Sequence, residues 1–188
     1  MMPAKRAPKV IGVAGWKSSG KTTLVTRLVT ELTRRGFRIA TVKHAHHGFQ
    51  IDDAETDSAR HRRAGAVQVA VVSDVRWAVV RELGDEPEPS LEATIARLDP
   101  CDLVIVEGYK AAPIPKIETR RREAAREAPL ADTDPNVIAV AADYACEAAG
   151  RRVLALDDVA GIADVIVAVL GVRSTGSDPV APAPGAAS

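Results

Sequence analysis

Apolar positions along the 188-residue chain alternate between two rhythms. Short, nearly continuous apolar runs at 10–14, 38–42, 67–73, 102–108, 137–141 and 153–156 have the length and make-up of strands, and a further apolar stretch lies at 77–80. Between the runs the spacing turns helical. Leu24, Val25, Leu28, Val29 and Leu32 line one face of a predicted helix over 21–35, which Gly36 stops after the basic pair Arg34-Arg35. A short basic helix is expected to end near Gly65, Ser90 to cap a helix carrying Leu91, Ile95 and Leu98 on one face, and a last helix to span 158–170 before Gly171. Residues 114–119 have the pattern of a short strand whose start Pro113 and Pro115 confine to an edge or a loop. Strand and helix in alternation predict an α/β fold, one mainly parallel sheet with helices on both faces, although the strand order is not legible. Residues 9–173 are read as the folded domain, between a flexible N-terminus at 1–8 and a disordered tail at 174–188 rich in Pro, Ala, Gly and Ser.

The segment joining the first strand to the first helix narrows that class. Residues 15–22 read Gly-Trp-Lys-Ser-Ser-Gly-Lys-Thr, a complete G-x-x-x-x-G-K-[ST] phosphate-binding loop. Gly15 and Gly20 let the backbone bend so that successive N–H groups point at a polyphosphate. Lys21 brings a charge to the terminal phosphates, Thr22 a hydroxyl for Mg²⁺, and the helix opening at Lys21 its positive end. Gly15, Trp16, Lys17, Ser18, Ser19, Gly20, Lys21, Thr22 and Thr23 are therefore the expected nucleotide cradle, and the architecture that of the P-loop nucleoside triphosphate hydrolases. Lys17 either reaches over the phosphates or is a solvated loop lysine. It stands four residues before Lys21, not at the fifth position before it where a trans-acting signature lysine would stand.

Overall charge removes other classes. The 25 Lys and Arg balance 25 Asp and Glu, which argues against a general nucleic-acid binder or a membrane-surface protein. Residues 1–50, however, hold ten basic side chains against Glu31 alone, a field suited to an anionic ligand. Cys101 and Cys146 form no C-x-x-C pair and read as reduced thiols. With no apolar core behind the basic N-terminus and no stretch long enough to span a bilayer, a cytoplasmic protein is expected.

Other candidates follow from placement. Glu107 ends a buried strand on the ligand side of an α/β sheet and is the expected carboxylate for Mg²⁺ or for orienting water, whereas Asp102 starts the same strand at the wrong end. Asp52 and Asp57 either complete the Mg²⁺ shell or belong to a solvated acidic loop. Asp143, after the strand 137–141, is placed to accept from guanine N1 and N2, though no Asn-Lys-x-Asp motif surrounds it. His44, His46 and His47 are not read as a zinc site, because alternation divides them between two faces and no Cys joins them. Trp16 and Trp77 are expected in packing or dimer contacts.

Taken in order, these blocks resemble the molybdopterin-guanine dinucleotide biosynthesis protein B (MobB) family. The resemblance is carried by the loop at 15–24, Lys-His-Ala-His-His at 43–47, Asp57-Ser58 with Arg60 and Ala64-Gly65-Ala66, Val-Glu-Gly-Tyr-Lys at 106–110 and Pro-Lys-Ile-Glu at 115–118. It departs at Glu55-Thr56, where the family often has Gly-Lys. The resemblance implies a cytoplasmic, dimeric protein that binds GTP and Mg²⁺, hydrolyses GTP weakly, and assists a MobA-type guanylyltransferase acting on molybdopterin. On that footing Lys43, His44, His46, Lys110, Lys116 and Arg120 are candidate contacts to molybdopterin or to the partner. Two rival readings stay open: a small-molecule kinase with Arg120, Arg121, Arg122 and Arg126 as its lid, and a non-catalytic adaptor shaped by its nucleotide.

Overall fold

The computed structural model describes residues 7–45, 56–124 and 128–173. They fall into two compact units, one built from the chain up to His44 together with residues from Thr94 onward, the other from Ala45–Ala93. The larger unit is a six-stranded sheet of β1 (Lys9–Ala14), β2 (Ile39–Lys43), β5 (Leu103–Glu107), β6 (Lys116–Arg120), β7 (Val137–Ala142) and β8 (Arg152–Ala155). Their order is β2-β5-β1-β6-β7-β8, and every pairing is parallel.

Two long helices, α1 (Lys21–Arg34) and α4 (Val159–Leu170), pack together on one face. Leu24, Leu28 and Leu32 of α1 and Ile162 and Ile166 of α4 close there over Ile11, Val13, Leu103, Ile105 and Ile117. The other face is covered over β7 by the 3-10 turn Leu130–Asp132 and by Ala148. The ends of α4 match their chemistry: Asp158 caps it by accepting from the Gly161 N–H at 2.9 Å, and Gly171 leaves it in the left-handed conformation.

One strand differs from expectation. β6 is not confined to an edge; it lies between β1 and β7 with every residue buried. Pro115 stays just outside it, and its carbonyl accepts from the Gly12 N–H at 2.8 Å, so the missing proline N–H costs the ladder nothing. Period-two alternation sends Lys116, Glu118 and Arg120 to the same side, where they pair internally. Lys116 Nζ donates to Asp134 at 2.6 Å, and Arg120 donates to Glu118 at 2.8 Å and to the Glu147 carbonyl at 2.7 Å. Glu118 also accepts from the N–H groups of Leu130 and Ala131, both at 2.9 Å. Lys116 and Arg120, expected as anion contacts, are thus both engaged in interior ion pairs, Lys116 fully buried and Arg120 lining a small pocket beside Trp16 and Ser19.

The smaller unit holds α2 (Asp57–Arg63) and a hairpin of β3 (Gln68–Val72) and β4 (Trp77–Arg81). The Thr56 hydroxyl caps α2 by accepting from the Ala59 N–H at 3.3 Å. The hairpin is antiparallel and forms its own two-stranded sheet, where a continuation of the crossover pattern was expected. The connection 73–76 is too short for a parallel crossover. Trp77 is 67% exposed on it, so it is not packed among the described residues. The short helix α3 (Leu91–Ile95) follows.

The Lys116–Asp134 pair makes a stability prediction. Burial works against the Asp134 charge, but Lys116 and Asn136 outweigh it and hold its carboxyl below the ordinary aspartate range. Asp134→Asn strands a Lys116 ammonium whose side chain is 1% exposed, and is expected to cost about 3 kcal/mol in urea unfolding at neutral pH. A depressed folded-state value means stability fully present above the ordinary aspartate range and lost as pH falls through the folded value. The midpoints of wild type and variant should therefore converge in acid, and a constant gap down to pH ~2 would contradict the assignment.

Candidate functional site

Because the six strands are parallel, their carboxyl ends collect at one edge of the sheet. Register fixes who meets there. Glu107 is the pairing partner of Val13 on one side and of Lys43 on the other, so the end of β5 sits beside both the start of the phosphate loop and the end of β2. Across β1, Glu118 pairs with Ala14, which brings Thr119 against the loop.

The loop needs its glycines. At Gly15, φ is +151°, and a Cβ there would stand 2.5 Å from the Ser19 hydroxyl and 2.6 Å from the Thr119 carbonyl. Gly20 turns into α1 with φ +94°. The Ser19 and Thr119 hydroxyls share a buried hydrogen bond of 2.8 Å, and Thr119 also donates to the Ala14 carbonyl at 3.2 Å. Trp16 is pinned by its indole N–H, which donates to the Ala128 carbonyl at 2.9 Å.

Four charged side chains converge on the loop. Lys21 Nζ donates to the Trp16 carbonyl at 2.7 Å, and the Thr22 hydroxyl donates to Glu107 Oε1 at 2.6 Å. Lys43 Nζ lies 3.3 Å from the same Glu107 oxygen, and Lys110 Nζ stands 3.6 Å above the Trp16 ring. Burial lowers the Lys21 pKa; Glu107 opposes that shift, while Lys110 and Lys43 add to it. The reverse turn after β5 places Gly108 and Tyr109 at positive φ, +92° and +47°, and the Tyr109 ring packs tilted at 43° against His44 with centroids 4.7 Å apart.

Beyond Gly20 a cleft of about 570 Å³ opens between the start of α1 and the ends of β7 and β8. Thr23, Arg27, Arg121, Asp143, Tyr144 and Asp157 line it. Asp143 Oδ1 accepts from the Arg122 N–H at 2.9 Å.

Of the residues singled out from sequence, Trp16, Lys21, Thr22, Lys43, Glu107 and Lys110 meet at the loop. Thr23 and Asp143 face the adjoining cleft, and His44 joins the site through Tyr109. Lys17 and Ser18 are exposed on the loop's outer side, with Ser18 at φ +62°. Asp57 opens α2 in the smaller unit, 3.6 Å from Arg60. His46, His47, Asp52 and Arg126 lie outside the described residues. With Arg120 paired inside the sheet, an arginine lid loses its first member. Sequence reasoning missed Thr119, Tyr109 and Asp157. Each stands within two residues of the carboxyl end of a strand, a position signal that could have found all three.

The fold and this site define a P-loop nucleoside triphosphate hydrolase architecture. The family model for molybdopterin guanine dinucleotide synthesis protein B matches residues 10–143, and the chain belongs to that MobB family. It is 41% identical over 160 residues to the molybdopterin-guanine dinucleotide biosynthesis adapter protein of Haemophilus influenzae, covering 84% of this chain and 86% of that one. It is 38% identical over 168 residues to the adapter of Escherichia coli, covering 88% and 95%. The crystal structure of a molybdopterin-guanine biosynthesis protein B superposes with a TM-score of 0.66 at 30% identity, over 86% of this chain and 99% of that one. A MobB homologue from Bacillus stearothermophilus gives 0.64 at 30%, over 87% and 99%.

The electrostatics can be checked directly. Glu107→Gln removes the group that favours the Lys21 ammonium, so Lys21 should deprotonate more readily. In competitive acetylation followed by mass spectrometry, the labelling of Lys21 relative to exposed Lys17 should rise in the variant; an unchanged ratio contradicts the coupling.

Proposed function

We propose that this chain is a Mg²⁺-dependent GTP-binding adapter with weak GTPase activity. It assists a MobA-type guanylyltransferase in converting molybdopterin to molybdopterin guanine dinucleotide, as a cytoplasmic homodimer. The observation that carries the nucleotide reading is the Thr22 hydroxyl 2.6 Å from Glu107, beside Lys21 at the opening of α1. The relatives named as adapters carry the biosynthetic reading. Among the described residues no helix is long and apolar enough to cross a membrane.

Mg²⁺ keeps several waters and binds through one or two protein oxygens plus phosphates. Among the described residues no three His, Cys, Asp or Glu side chains gather into a metal cage, and none is needed for such a site. The Thr22 hydroxyl and the Glu107 carboxylate are the fitting pair, and the ion would supply charge neutralisation at the terminal phosphates. Lys21 exchanges the Trp16 carbonyl for a phosphate oxygen, and the loop N–H groups hold the remaining oxygens. Glu107 would either hold that ion through a water or orient the attacking water.

Slow turnover fits the residues present. Among the described residues no glutamine contacts Thr22 or Glu107, where one would position water. Lys43, Lys110 and His44 remain candidates for an anionic second ligand such as the molybdopterin phosphate.

Titration calorimetry with GTP, with and without Mg²⁺, tests the reading. Lys21→Ala should weaken GTP roughly 10- to 150-fold, as loss of a charge-assisted hydrogen bond does. Hydrolysis should fall in both Lys21→Ala and Glu107→Gln. Equal residual hydrolysis in wild type and both variants would leave a non-catalytic adapter.

A further inference from the structure

Resting on the nucleotide reading above, we propose that Asp157, rather than Asp143, is the residue that selects guanine. The phosphate loop and the cleft share Gly20, so a nucleotide whose phosphates lie on residues 15–22 directs its base toward the ends of β7 and β8. Guanine presents two donors on its pairing edge, N1–H and the 2-amino group, whereas adenine presents an acceptor at N1. An ionised carboxylate is acceptor-only, with two oxygens, so it matches guanine and repels adenine.

Two aspartates face the cleft, and their surroundings distinguish them. Asp143 Oδ1 is engaged by the Arg122 N–H at 2.9 Å, which ties that carboxylate to the turn after β6. Asp157 accepts no side-chain hydrogen bond from the described residues. Its neighbour Asp158 takes the capping role on α4, through the Gly161 N–H at 2.9 Å. Asp157 is nonetheless fixed in place: the Leu156 N–H donates to the Ala142 carbonyl at 2.9 Å, and the Val159 N–H to the Asp157 carbonyl at 2.8 Å. Its carboxylate is thus placed by backbone bonds on both sides and left with both oxygens for a ligand.

Arg121 completes the slot. Its Nε lies 3.0 Å from where a Gly20 Cβ would stand, and it lines the same cleft, so its planar guanidinium can lie against the face of a base.

The test is calorimetric titration of the full-length chain with GTP, inosine, xanthosine and adenosine triphosphates. Wild type should prefer GTP, bind the inosine nucleotide more weakly because it lacks the 2-amino group, and bind ATP weakest. Asp157→Asn converts an acceptor into a donor. It should lose roughly 10- to 150-fold in GTP affinity and gain xanthosine triphosphate, whose C2 carbonyl accepts from the new amide. A merely structural aspartate would not produce that exchange of preference. The proposal is overturned if Asp157→Asn keeps the GTP preference, if the xanthine gain arises with Asp143→Asn instead, or if wild type binds GTP and ATP equally. Equal binding would leave the phosphate site standing; no binding of any triphosphate would remove that site and this proposal together.

Discussion

Everything at the ligand edge depends on β1 being hydrogen-bonded along both sides by parallel strands, β5 on one and β6 on the other. Parallel pairing aligns carboxyl ends, so the residue that leaves β1 must leave it between the ends of its two neighbours. On one side this brings Glu107 to Thr22, and on the other Thr119 to Ser19. The phosphate loop is held between two strands it does not belong to. Its geometry therefore depends on the sheet as much as on its own glycines.

β6 extends that dependence to the far face. Its Lys116, Glu118 and Arg120 are buried charges, which an interior strand tolerates only when each has a partner. Glu118 takes the N–H groups of Leu130 and Ala131, fixing the segment whose Ala128 carbonyl receives the Trp16 indole. Through the backbone from Ala128 to Leu130, hydrogen bonds thus link a carboxylate inside the sheet to the second residue of the phosphate loop. Removing Glu118 would leave buried donors in two directions, Arg120 and the 3-10 turn.

Local pattern explains what the sequence disclosed. The strand-loop-helix over 9–34, the buried strand ending at Glu107 and the cap and stop of α4 follow from short-range rules, and the structure has them within a residue or two of expectation. Long-range pairing was hidden. Nothing local says that a strand beginning after two prolines lies in the middle of a sheet, so Lys116 and Arg120 looked available to a ligand. The hairpin was more accessible than that: four residues between β3 and β4 exclude a crossover. Glu107 was legible because one strand end suffices to place it. Lys43 reaches it only through strand register, and Asp157 becomes distinctive only once Asp158 is known to serve α4 and Arg122 to hold Asp143.

The cations at the loop also bear on what kind of site this is. Three lysines gather at the loop beside one carboxylate, yet each is already engaged: Lys21 on the Trp16 carbonyl, Lys110 on the Trp16 ring, Lys43 on Glu107. On the proposed reading a triphosphate exchanges existing contacts for new ones, so much of the attraction offsets losses and only the difference appears as affinity. Charges that meet the ground-state phosphates as strongly as the transition state do not speed the chemical step. Acceleration needs a group whose contact forms only as charge shifts, and the one carboxylate at the loop, Glu107, is already engaged by Thr22 and Lys43 and is the residue proposed to hold the metal ion or orient water. The proposed nucleotide is then held with moderate affinity and turned over slowly, which is the balance an adapter requires if the bound state is the one its partner recognises.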